Sequence, residues 1–262
     1  MLKMFSEPPK PKLTYKGPTL LAMALANLLT HLQSLGIADT GTAGTDMMLY
    51  LVMLLVLIIS GRIIPAFTGG AILLARPKRY SPMEIATPAL VCTLIAFGLV
   101  YPAPWLLGIL SLLIALAQII RLSGWHHPNA WRIPILWVLY SGFIWIILGF
   151  LMLGLAPLDL FPANHAKHAL TTGGIGVLTL GMMSRVSLGH TGRPIISSAL
   201  VNLSFLLLNL GVAVRVFAPV FAPRYYTLWI QLSGVVWVLC FLTFFLTYLP
   251  ILTKPRVDGR PG

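Results

Sequence analysis

Eight stretches of this chain are apolar for close to the length that crosses a bilayer, and this feature decides the class of fold. A hydrocarbon core of about 30 Å takes roughly 20 residues of helix. The stretches run over roughly 18–37, 47–65, 84–100, 103–121, 133–154, 165–185, 195–216 and 226–250. The expectation is an all-α fold, a polytopic membrane helix bundle of about eight transmembrane helices over 18–250. A cytoplasmic arm, 1–17, precedes it and a cytoplasmic tail, 251–262, follows. Composition agrees, since 58% of the 262 residues are hydrophobic and only 9% charged, far from the mix of a soluble domain.

The connections set the topology. The third and fourth stretches are joined by "YPAPW", where two prolines stop one helix and permit the next to start, which predicts a tight hairpin. With the amino terminus inside, only Lys167, Arg215 and Arg224 of the 18 lysines and arginines fall on the outer side. This is the positive-inside pattern, with both termini cytoplasmic. The net charge of +12 is therefore read as topology, and a nucleic-acid partner is not expected. The amino-terminal "MLKMFSEPPKPKLTYKGP" is polar and proline-rich, unlike a cleaved signal peptide. Cys92 and Cys240 lie inside apolar runs, so neither a disulfide framework nor a CxxC metal clip is available. No internal repeat is visible, and the longest polar connection surrounds "ARPKRYSP", too short for a soluble domain.

Polar side chains within spans carry the functional question, because in lipid they face protein, water or a ligand. Asn27 and His31, four residues apart with Thr30 and Ser34 beside them, predict a polar stripe turned into the bundle. In the sixth span, at 100° per residue, Thr171, Thr172, Ile175 and Thr179 share the face of His168, with His165, Met182 and Met183 at its edges. Gly174 and Gly181 stand with Leu178 on the far side, a small-residue surface for a close neighbour. By depth, His31, His165 and His168 are expected near one membrane surface. His190 is 22 residues beyond His168, about 33 Å along a helix, and belongs to the opposite face. Two or three imidazoles without cysteines or carboxylates suit haem iron or copper better than calcium or magnesium. Cross-helix hydrogen bonding is the competing reading of the same residues.

Other polar groups read more simply. The spans hold no paired acids, with Glu84 at a helix start and Asp39, Asp46 and Asp159 in exterior loops, which argues against a carboxylate proton relay. His126 and His127 lie in a cytoplasmic loop, where Trp125 and Trp131 are expected to anchor at the interface. Asn202 and Asn209 are expected to serve helix packing. "SRVSLGHTGRP" brings Arg185, His190 and Arg193 to the cytoplasmic surface. It is either a positive-inside anchor and turn, or a cationic pocket for a propionate, a lipid headgroup or another anion, to which Arg62 adds.

At this point a resemblance enters. "HALTTGGIGVLTLGMMSRVSLGHTGRP", with "GRIIPAFT" and the "NLLTH" of Asn27 to His31, resembles the signature of the NnrS family. These are bacterial multi-pass membrane proteins associated with haem and copper and with the response to nitric oxide in denitrification. Members are usually longer, so the resemblance implies a short member lacking the first spans. It implies an inner-membrane location and haem or copper as cofactors. The metal ligands would come from His31, His165 and His168, with Asn27 beside them and Arg185, His190 and Arg193 as the signature's cytoplasmic end. Nitric oxide as ligand and membrane or redox proteins as partners are implied in the same way. The resemblance specifies no reaction, enzymatic or otherwise. A small-solute or metal-ion transporter and a non-catalytic scaffold protecting metalloproteins are the other classes. The transporter reading lacks intramembrane carboxylates and an inverted repeat.

Overall fold

The computed structural model describes residues 16–259. All of the expected arm 1–17 except its last two residues lies outside the described residues, as does Arg260. Each of the eight apolar stretches is helical: α1 (Lys16–Ser34), α2 (Gly41–Ala71), α3 (Ser81–Val100), α4 (Pro104–Trp125), α5 (Pro134–Leu155), α6 (163–190), α7 (Ala199–Phe221) and α8 (Tyr226–Leu252). Among the described residues there is no strand. Prolines sit in the first turns of α3, α4 and α5, where the missing N–H costs nothing. The hairpin between α3 and α4 is as tight as "YPAPW" predicts.

Six of the helices, α2, α3, α4, α5, α7 and α8, are long and apolar enough to cross a membrane. The exterior matches that role. Leu203, Leu206 and Leu210 of α7, and Leu232, Leu239 and Leu246 of α8, are among many exposed large apolar side chains, which only lipid or another protein covers without cost.

The helices pack in chain order, each against the next, with α5 as the hub touching α2, α4, α6 and α7. Leu136, Phe143, Ile146 and Phe150 of α5 are fully buried. α5 and α6 run antiparallel, glycine against large side chain. Gly149 meets Leu170, Gly173 meets Trp145, Gly142 meets Leu178, and Gly181 meets Val138. A methyl group at Gly173 would lie 2.7 Å from Trp145 Cβ, so this approach requires glycine. The far-side surface of Gly174, Gly181 and Leu178 is therefore an α5 contact, as the wheel predicts.

α6 departs from the expected uniform α-helix. It is three stretches run end to end, Ala163–His168, Ala169–Val177 and Leu178–His190. The backbone stays right-handed helical at both joints, with φ −67° and ψ −37° at His168, and φ −61° and ψ −42° at Leu178. The middle stretch is π-helical, with i→i+5 hydrogen bonds and so more residues per turn. That slower rotation splits the face predicted at 100° per residue. Thr172 turns toward α7 and α8, whereas Thr179, Met182 and Met183 turn toward a gap beside α2 and α5.

Candidate functional site

The amino-terminal half of α6 meets α7 and α8 around a cavity of about 330 Å³, lined by Thr172, Arg215, Ser233 and Trp237 with Leu208 and Val212. His168 is not part of that lining but adjoins it through Arg215, its Nε2 3.5 Å from a terminal guanidinium nitrogen of that residue. Arg215 Nε and His165 Nδ1 are buried and make no hydrogen bond. Buried polar groups are nearly always satisfied, so the unpaired Nε of Arg215, on a side chain that lines the cavity, is a candidate contact for a ligand. The hydroxyls of Thr172 and Ser233 bond back to the carbonyls of His168 and Ile230. Their lone pairs remain available to a ligand. Exposed Trp237 and Val238 leave the cavity open on one side. The π-helical stretch begins one residue after His168, and π turns concentrate at functional sites.

Nearby contacts brace this region. Lys167 forms an ion pair with Asp46 at the start of α2, tying α6 across the bundle. Asn209 Oδ1 accepts from Trp145 Nε1 at 2.9 Å, the packing role expected of it. Asn202 Oδ1 instead meets the Ser197 hydroxyl, a local contact before α7.

The expected stripe on α1 requires correction. Asn27 and His31 are exposed and point away from the bundle, because α1 buries its other side, Ala26 with Ala22, Met23 and Leu29, against Met47 and Leu51 of α2. Small and flexible apolar residues on that side give the closer approach, and they decide the rotation. α1 packs chiefly on α2 and has no extensive contact with α6, so helix packing unites His165 with His168 and leaves His31 apart. Among the described residues no three His, Cys, Asp or Glu side chains converge as metal ligands.

Two arginines counted only as topology are more than that. Arg215 lies inside the apolar helix α7. Arg121, 1% exposed, donates from Nε to Glu84 Oε1 at 3.1 Å and from Nη2 to Glu84 Oε2 at 3.2 Å. It also donates to Gln118 Oε1 at 2.7 Å and to the Leu57 carbonyl at 3.1 Å. Glu84 is at a helix start as expected, yet it is half of a largely buried ion pair. An arginine within "AQIIRLSGW" was the available signal. Trp125, expected at the interface, is fully buried with its ring 5.0 Å from Phe143. His126 Nε2 accepts from Trp131 Nε1 at 3.1 Å, and His127 Nδ1 accepts from the Asn129 amide at 3.2 Å.

At the other end of α6, His190 is far from His168, as its spacing predicts. Its imidazole is exposed and its carbonyl accepts from Arg256 at 2.8 Å. Arg193 turns back toward the Thr191 carbonyl at 3.5 Å, and Arg62 is exposed. Arg185 lies 3.8 Å above the Phe67 ring. The Asp258 carboxylate, hydrogen-bonded to Arg256, holds that guanidinium above its ordinary basicity.

Comparison with known proteins gives one match. The family model described as NnrS protein matches residues 9–256. No curated protein and no solved structure matches. The match spans all eight helices and both ends of α6, and on that extent the chain belongs to the NnrS family.

Proposed function

We propose that this chain is an eight-span inner-membrane protein of the nitric oxide response, with both termini cytoplasmic, and that the cavity between α6, α7 and α8 holds haem. The observation that carries this reading is the pairing of His168 with Arg215, whose side chain lines the cavity and whose Nε makes no hydrogen bond. An ionisable residue inside an apolar bundle is a functional group by default. His168 would hold the iron, Arg215 would pair with a propionate, and Trp237 would flank the macrocycle. Bound haem supplies an iron able to take a diatomic ligand. The chain's own residues orient the group and limit water. The cavity is at the lower end of the roughly 300–1,000 Å³ of small-ligand sites, and its open side would leave room for a ligand larger than the cavity itself.

Copper fits these residues poorly. A guanidinium 3.5 Å from His168 Nε2 opposes a bare metal cation there, whereas the porphyrin's own negative charge offsets that of a haem iron. Among the described residues no three His, Cys, Asp or Glu side chains converge to offset it, so copper ligation by His31, His165 and His168 is not part of this proposal.

The test is reconstitution of the purified, detergent-solubilised chain with haem. The wild type is expected to develop the haem absorption band of an imidazole-ligated iron. His168→Ala abolishes it, and Arg215→Gln weakens haem affinity about tenfold, the scale of one charge-assisted hydrogen bond. His31→Ala leaves the spectrum unchanged, because α1 has no extensive contact with α6. A monodisperse, helical wild-type preparation that does not alter the spectrum of added haem would overturn the reading.

A further inference from the structure

The basic end of the bundle contains a second cavity, of about 250 Å³, bordered by Phe67, Arg185, Val186, His190, Ile195 and Arg256. Its two arginines are in different states. Arg256 is fully engaged: Nε and Nη2 grip Asp258 at 2.9 and 2.6 Å, and Nη1 donates to the His190 carbonyl at 2.8 Å. Val257 N–H adds a bond to the Thr191 carbonyl at 3.3 Å. Asp258 packs beside Gly192, whose φ of +71° and close contact both require glycine. Arg256 is thus a held wall of the cavity.

Arg185 is the opposite case. Its guanidinium rests on the Phe67 ring, and among the described residues no carboxylate or other acceptor pairs with it. Stacking leaves the N–H edge of the fork free, and that edge borders the cavity. Exposed Val186, Ile195 and Ile196 lie around it, so the free cation adjoins an apolar surface. A planar fork of donors matches the oxygens of a phosphate.

We infer that this cavity is a phosphate-binding site in which Arg185, stacked on Phe67 and backed by the tail latch, grips the phosphate of a lipid headgroup or of a soluble phosphate ester. The site is separate from the haem cavity, at the opposite end of α6, and it does not depend on haem being bound.

The experiment uses the full chain in neutral detergent. Native mass spectrometry compares retention of added dioleoyl phosphatidylglycerol with that of dioleoyl phosphatidylcholine, and thermal unfolding is followed with inorganic phosphate or glycerol phosphate. Wild type is expected to retain the anionic lipid preferentially, and Arg185→Gln to weaken that preference about tenfold. Arg185→Lys retains the charge without the fork and falls between. Stabilisation by soluble phosphate or glycerol phosphate without lipid preference, lost in Arg185→Gln, upholds the site and assigns it to a soluble ester. A helical wild type with no lipid preference and no response to phosphate overturns the inference. So does an Arg185→Gln protein that keeps either response in full, and this outcome needs no comparison of stabilities.

Discussion

Arg121 shows how one residue ties three helices together. It sits on α4, grips Glu84 on α3 and donates to the Leu57 carbonyl of α2, while Gly61 leaves the space its guanidinium fills. Breaking a buried ion pair by removing one partner costs about 3–5 kcal/mol, because the other charge stays buried. The Glu84 side chain is 23% exposed, so Glu84→Ala is expected at the lower end, about 3 kcal/mol. The double variant Glu84→Gln with Arg121→Met removes both charges and is expected to be more stable than Glu84→Ala alone. Thermal unfolding in detergent measures both. A Glu84→Ala protein as stable as wild type would show that the pair does not hold the helices. The identity of this residue was legible, since an arginine in an apolar run is conspicuous. Its role was not, because Glu84 lies 37 positions away and nothing local indicates that the two helices face each other. Asn27 and His31 failed for the converse reason: their spacing put them correctly on one face of α1, but the face chosen for packing was the apolar one.

At the scale of the element, α6 is where local pattern and tertiary structure combine. Its glycine surface toward α5 was readable from Gly174 and Gly181 alone, because a small-residue spacing survives a modest change of pitch. The polar face was not, since the π-helical stretch carries Thr172 and Thr179 to different neighbours. The glycine ladder yields a paired prediction. Gly173→Ala places a methyl group against Trp145 and is expected to destabilise by about 1–3 kcal/mol, the cost of overpacking. Gly98→Ala in α3 meets nothing within 4 Å and is expected to stabilise by about 0.5–1 kcal/mol through helix propensity. Opposite shifts in the unfolding midpoint would separate close approach from the general effect of adding a methyl group.

For the whole molecule, the issue is whether all eight helices cross. Six are long and apolar enough to do so. α6 runs antiparallel beside α5 from Leu170 against Gly149 to Gly181 against Val138, so over this stretch it shares the depth of a helix that is itself one of the six. α1 is 19 residues, about 28 Å at 1.5 Å per residue, close to the hydrocarbon core. Eight crossings would put both termini on one side, and the distribution of lysine and arginine would make that side the cytoplasm. Single cysteines on a background of Cys92→Ala and Cys240→Ala test this with a membrane-impermeant maleimide. Asn164→Cys and Tyr225→Cys are expected to label in intact spheroplasts, and Asn129→Cys and Thr253→Cys only after lysis. All four of these positions are exposed, so failure to label reports the membrane barrier and not burial. If Asn164 and Tyr225 labelled from different sides, α6 and α7 together would cross an odd number of times, and the eight-span arrangement would fail at that pair. The same result would separate His168 from Arg215 by a membrane face and remove the haem cavity with it, so the topology test also decides whether the proposed site can exist.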